Sequence, residues 1–216
     1  MGAPAHTQLA SKRLEIWDLG LEDYLKTYER QRAAVARAKE DPEQGDGLFF
    51  VEHPAVYTSG RRSAGTPVDP SLPLVEIERG GEMTFHNPGQ LVAYPILRLQ
   101  GAQKDLHAYL RNLEEVLIRV LGDFGLPGER HAGATGVWVT GREKKIASIG
   151  VAVSSWVTYH GTALNVCNDL SGFARINPCG FSADVMTSLA AELGGRGPAM
   201  DEAKHSYLRH FQEIFR

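Results

Sequence analysis

Apolar and polar residues alternate in short stretches along most of this chain and recur at helical spacing in a few longer ones. Leu14 to Leu19 predicts a first strand. Leu21, Tyr24, Leu25 and Tyr28 then predict a helix that runs to about Lys39 and ends in the turn-rich run 41–47. Leu48 to Val51 is a short apolar strand. His53 to Pro70, rich in Gly, Pro, Ser and Arg, predicts a long loop. Leu74 to Arg79 predicts a strand broken by Gly80-Gly81. Met83 to His86 and Leu91 to Ile96 flank the turn Asn87-Pro88-Gly89. One apolar stripe from Leu106 to Phe124 gives the clearest helix, stopped by Gly125 and Pro127. Val137 to Thr140 and Lys145 to Val153 predict a hairpin around Gly141-Arg142, and Ala163 to Val166 a further strand. Met186, Leu189 and Ala190 suggest a helix, and Tyr207 to Ile214 a final one.

Strands outnumber helices, and several neighbouring strands are hairpin-linked. The expected class is α+β, with a mixed, largely antiparallel β-sheet flanked by helices. The length of 216 residues suits a single globular domain over 13–216, preceded by a loose lead-in over 1–12.

Charge and composition remove whole classes of function. The net charge of −3 comes without a basic stripe, so no nucleic acid is expected as partner. No apolar run is long enough for a membrane span, and no secretory leader is visible. Two cysteines make no disulfide scaffold, so both are expected as thiols in the cytoplasm. No His/Cys spacing fits a metal, and no phosphate-loop pattern is present, so neither metal nor nucleotide cofactor is expected. No surplus apolar helix face stands out, which points to a monomer.

Four segments carry candidate chemistry. In Arg79-Gly80-Gly81-Glu82-Met83-Thr84-Phe85-His86, the paired glycines suit close approach to a ligand, and Thr84 and His86 share a strand face. The same residues also suit a plain pair of tight turns, with His86 as its hydrogen-bond anchor. Lys144 and Lys145 open an apolar strand through Ser148, Ile149 and Gly150. Neighbouring strand residues face opposite ways, so Lys145 can enter a pocket while Lys144 stays solvated; two surface lysines guarding a sticky strand are the plainer alternative. His160-Gly161-Thr162-Ala163 can line a close-approach surface or hold a structural histidine. Cys179 lies in a Pro-Cys-Gly turn that can present a thiol, whereas Cys167, in apolar sequence, reads as a small buried hydrophobe.

Together these segments resemble the octanoyltransferases of lipoate biosynthesis, the lipoate-protein ligase B family. The matching stretches are HPAVYTSGR (53–61), RGGEMTFHNPGQLVAYPI (79–96), KIASIGV (145–151), HGTALNV (160–166) and DLSGFARINPCG (169–180). The family usually has a bulky apolar residue where Thr162 stands, between the Gly and the Ala, and here the chain departs from it. The resemblance implies a fold shared with lipoate-protein ligase A and biotin protein ligases. It implies transfer of octanoyl, or lipoyl, from an acyl carrier protein thioester to a lysine amine. The acceptors would be lipoyl domains of 2-oxo acid dehydrogenases and the glycine cleavage H protein. Cys179 would be the acyl-accepting thiol and Lys145 its acid/base partner. Arg79 to His86, Ser148 to Gly150 and Gly161 to Ala163, with His160 beside them, would line the substrate. An ATP-dependent ligase and an amidotransferase between lipoyl-domain proteins are the alternative activities.

Overall fold

The computed structural model describes residues 13–41, 43, 45–61, 72–176 and 183–216. The lead-in over 1–12, the predicted loop beyond Arg61, and the turn that carries Cys179 lie outside the described residues.

A seven-stranded sheet forms the frame. In spatial order it runs β1 (Leu14–Leu21), β2 (Asp46–Glu52), β6 (Gln90–Ile96), β10 (Val157–Asn165), β9 (Lys145–Ser154), β8 (Ala134–Val139) and β7 (Gly128–His131). The β1–β2 pair is parallel and the other pairs are antiparallel. A small second sheet joins β4 (Leu74–Glu76), β3 (Val56–Ser59) and β5 (Thr84–His86). This is the mixed sheet with flanking helices that the sequence predicts.

Each face of the large sheet is covered by different helices. Helix α2 (Leu106–Asp123) starts at Asp105, whose carboxylate accepts from the backbone N–H of His107 and Ala108. It buries Leu113, Val116, Leu117, Val120 and Leu121. These pack with α4 (Met200–Phe215), through Tyr207, Phe211 and Ile214, onto Leu91, Ala93 and Leu164. Burying such a side chain is worth about 1.5–3 kcal/mol. Helix α1 (Tyr24–Glu40), capped by Asp23, covers the opposite face with Ala34, Val35 and Ala38 against Val92, Tyr94 and Ala163. Its small residues let the helix axis come close to the strands.

Three expectations need correction. The loop predicted over 53–70 contains a strand, β3, because Val56, Tyr57 and Thr58 pair with His86, Phe85 and Thr84. The strand predicted over 163–166 begins at Val157 and is buried throughout. Its polar residues hide it: Thr158 Oγ1 donates to the Pro95 carbonyl, and Thr162 Oγ1 meets the Tyr207 hydroxyl at 3.0 Å. Helix α3 covers only Leu189–Glu192, and Met186 instead bridges to Lys145.

β10 is also bent, and the bend makes the site. It pairs with β6 from Thr162 to Asn165. The ladder then breaks at Pro95, which has no N–H to give, and resumes where Thr158 N–H reaches the Leu97 carbonyl. His160 takes a left-handed φ of 55° in the gap. Gly161 is required beside it, since a Cβ there would lie 2.2 Å from the Ala93 carbonyl oxygen. With the ladder parted, a cavity opens between β9, β10, β5 and α1.

Candidate active site

The cavity is small, about 40 Å³, room for a few water-sized groups. It gathers eleven of the residues singled out in the sequence. Arg79, Gly81, Thr84 and His86 come from the first segment, and Ser148, Ile149 and Gly150 from β9. His160, Gly161, Thr162 and Ala163 come from β10. Gly80, Glu82, Met83 and Phe85 do not line it. Thr84 and His86 share a strand face, as expected, and the alternation turns Phe85 the other way. Phe85 and Met83 pack with Tyr57, Phe173, Ile176 and Met186 in a separate apolar cluster. Tyr24, Val92 and Tyr94 also line the cavity. Sequence reasoning missed them because an aromatic on a helix and two core residues of an apolar strand carry no local mark of chemistry.

A chain of side-chain hydrogen bonds fixes the walls. Gln90 Nε2 donates to the Phe85 carbonyl and to Asn165 Oδ1, so its Oε1 faces His86 Nδ1 at 2.7 Å. An oxygen there requires His86 to carry its proton on Nδ1. Burial, reinforced by His53 nearby, holds His86 neutral, with its pKa pushed down to about 3. Its Nε2 is then left as an acceptor towards Thr58 Oγ1, 3.5 Å away. Arg79 crosses behind: Nη2 donates to the carbonyl and hydroxyl of Thr58, and Nη1 to the Gly80 carbonyl. Its guanidinium therefore braces β3 to the glycine pair. Gly60 and Gly150 leave room for it, since a Cβ at either would approach the arginine side chain within 3 Å.

His160 differs from His86. It is buried, it stacks on Tyr28 at 5.5 Å, and both its ring nitrogens lack a hydrogen-bond partner among the described residues. Burial lowers its pKa to about 4. Glu78 anchors this stack, accepting the Tyr28 hydroxyl at 2.7 Å and the Tyr159 hydroxyl at 2.8 Å. Thr84 Oγ1, also on the wall, has no partner among the described residues either. A buried polar group left unpaired costs about 1–3 kcal/mol. Such groups on a cavity wall suit a ligand with polar atoms.

Lys145 is 0% exposed, and its amine has no hydrogen-bond partner among the described residues. Strict alternation along β9 would send it into the α2–α4 core with Ala147 and Ile149. A bulge prevents this: Ala147 pairs with Val137 but Lys145 with Trp138, so Ile146 is an extra residue. Ile146 and Ala147 both enter that core, and Lys145 turns to the opposite face, over Trp138. Lys144 points outward to the Asp184 carbonyl. The turn after the Cys179 segment is tied to the same place. Met186 bridges to Lys145, and Thr187 N–H donates to the Lys145 carbonyl at 2.9 Å. Ile176 and Met186, on either side of the segment, share one apolar cluster. Cys167 is exposed, not the buried hydrophobe expected: its backbone is held by the Gly89 carbonyl at the end of β10, where the chain leaves the sheet.

Residues 23–212 match the lipoyl protein ligase A/B catalytic domain family. An octanoyltransferase of Nostoc punctiforme is 46% identical over 205 residues, covering 93% of this chain and 87% of that one. The chain is an octanoyltransferase of this family. Among solved structures, this octanoyltransferase superimposes on the bipartite lipoate protein ligase of Thermoplasma acidophilum, studied with its E2 lipoyl domain. The TM-score is 0.76 at 18% identity, over 95% of this chain and 86% of that one. Biotin protein ligase of Aquifex aeolicus, in complex with biotin and ATP, gives 0.54 at 16% identity, over 94% and 70%. At those identities the likeness is one of fold, and it is the fold expected from the sequence. Within the octanoyltransferase no described helix is long and apolar enough to cross a membrane. Among its described residues no group of three His, Cys, Asp or Glu is placed to hold a metal.

Proposed function

We propose that this octanoyltransferase takes octanoyl, or lipoyl, from the thioester of an acyl carrier protein and passes it to a lysine amine of a lipoyl domain. Cys179 carries the acyl group between the two, and Lys145 moves the protons. The acceptors are the lipoyl domains of 2-oxo acid dehydrogenases and the glycine cleavage H protein. The Thermoplasma ligase, with an E2 lipoyl domain as its partner, supports that acceptor class. The reading includes one catalytic domain over 13–216, working as a monomer in the cytoplasm.

The observation that carries it is the buried amine of Lys145 without a hydrogen-bond partner among the described residues. A charged group out of water needs an opposite charge, and a thiolate from Cys179 supplies one. A free thiol has a pKa of about 8.5 and is mostly protonated at neutral pH. Beside an ammonium the thiolate is favoured. It attacks the donor carbonyl, the carrier thiolate leaves, and Lys145 gives that thiolate a proton. The acyl-enzyme is again a thioester, so this step is nearly balanced in energy. Neutral Lys145 then accepts a proton from the incoming amine as it attacks, Cys179 leaves as thiolate, and the ion pair is restored. Amide formation drives the sum without a nucleotide.

The acyl chain lies in the cavity, against Ser148, Ile149, Gly150 and the β10 wall. Arg79, Gly81, Thr84 and His86 frame the end near β5. Each buried methylene contributes about 0.8 kcal/mol, which favours eight carbons over shorter chains. The test is to mix the chain with octanoyl carrier protein and an unmodified lipoyl domain, without ATP. The domain should gain one octanoyl group. Octanoylation only from free octanoate with ATP, or only from another octanoylated lipoyl protein, would overturn the reading.

A further inference from the structure

The Lys145 amine lies 4.8 Å over the ring of Trp138, its cross-strand neighbour. Three features build this contact. The bulge at Ile146 turns Lys145 onto the indole. Gly136 clears the space, since a Cβ there would lie 2.9 Å from Lys145 Cε and 3.4 Å from Nζ. His131 packs against the indole at 5.1 Å and helps hold the ring in place. We propose that Trp138 is a positioning residue for Lys145: its indole face holds the ammonium form in a dry site and so sets how much of Cys179 stands ready as thiolate. This rests on the Cys179–Lys145 reading above.

The physical reason lies in what an aromatic face does and does not do. Its negative quadrupole attracts a cation, most strongly for tryptophan and most strongly away from water. A neutral amine gains little from it. The face therefore favours the charged lysine without offering it a full counter-charge. A carboxylate in the same position would pair with the ammonium outright and compete with the thiolate. The titratable groups around the stack do not play that part. His131 is on the indole, and Glu114 accepts Gly136 N–H while held by Arg111 and Arg130. Asp184 sits in the turn that Lys144 meets, and Glu192 pairs with Arg142. None of them bonds the Lys145 amine.

The test uses the full chain with Cys167→Ser, so that iodoacetamide reports on Cys179 alone. Alkylation is followed by intact mass across pH, alongside transfer kinetics, for Trp138→Leu, Trp138→Phe and Lys145→Met. Trp138→Leu should slow alkylation at neutral pH on the order of tenfold, with recovery at alkaline pH. It should lower kcat more than it raises KM for the carrier thioester. Trp138→Phe keeps a weaker ring face and should move the profile less, in the same direction. If Trp138→Leu does not fold, Trp138→Phe carries the test. An unshifted alkylation profile in the folded variants overturns the proposal, as does a loss of activity that tracks only a lowered melting temperature. Lys145→Met should itself suppress alkylation at neutral pH. If it does not, the Cys179–Lys145 reading fails on its own account.

Discussion

The two faces of the large sheet are built from different materials. On the α2–α4 face, Leu113, Leu117, Leu121 and Phe211 interlock with Leu91 and Leu164 in an almost wholly apolar core. On the α1 face the apolar layer of Val35, Val92 and Ala163 gives way to a cavity ringed by His86, His160, Arg79 and Tyr94. The first face spends its residues on packing. The second holds buried polar groups, among them Thr84 Oγ1 and the His160 ring, that find no hydrogen-bond partner among the described residues. Stability and chemistry are segregated by face, with β10 carrying both.

Substitutions on each face test that division. The largest effect is expected at Lys145, whose change to Ala should slow acylation and transfer by about 10²–10⁴-fold with the fold intact. Single-turnover acyl transfer with a melting curve beside it checks both halves. A comparable loss from a change in the α2–α4 core without unfolding would break the division.

The next effect is on stability and belongs to the cavity face. Burial lowers the pKa of His53 to about 4, His86 to about 3 and His160 to about 4. Above the unfolded value of about 6.5 these imidazoles are neutral in both states. Below it the unfolded chain takes up protons that the folded chain refuses, so stability falls as pH drops. Three such groups give about 4 kcal/mol per pH unit near pH 5. Urea unfolding from neutral pH downward measures the slope, and a flat profile would contradict burial of the three rings.

Leu117→Ala, on the apolar face, should cost about 2–5 kcal/mol and leave the transfer rate of the remaining folded protein unchanged. The smallest change tests the one strand that both faces share. Tyr207→Phe removes the partner of Thr162 Oγ1 and should cost about 1 kcal/mol in denaturant unfolding.

Legibility followed the same division. The α2 stripe and the β6 run were readable because every turn or pleat repeats one apolar residue, and the observed elements match those predictions. β10 was read only from Ala163 onward. Thr158, His160 and Thr162 look like surface residues, yet each is buried, two of them by hydrogen bonds to distant chain. Most of the cavity wall was visible. Three motifs marked eleven lining residues, but Tyr24 and Tyr94 reach it through tertiary packing that no local pattern encodes. The bulge at Ile146 was invisible for a related reason. Alternation distinguishes Lys144 from Lys145, but the face Lys145 takes depends on the register of β8.

The central claim is that an acyl group resides on Cys179 between donor and acceptor. Incubating the chain with octanoyl carrier protein, without acceptor, and recording its intact mass tests this most directly. The parent and Cys167→Ser chains should each gain one octanoyl group that an added lipoyl domain removes, and Cys179→Ser should gain no thioester adduct. An adduct that persists in Cys179→Ser, or disappears in Cys167→Ser, would contradict the account.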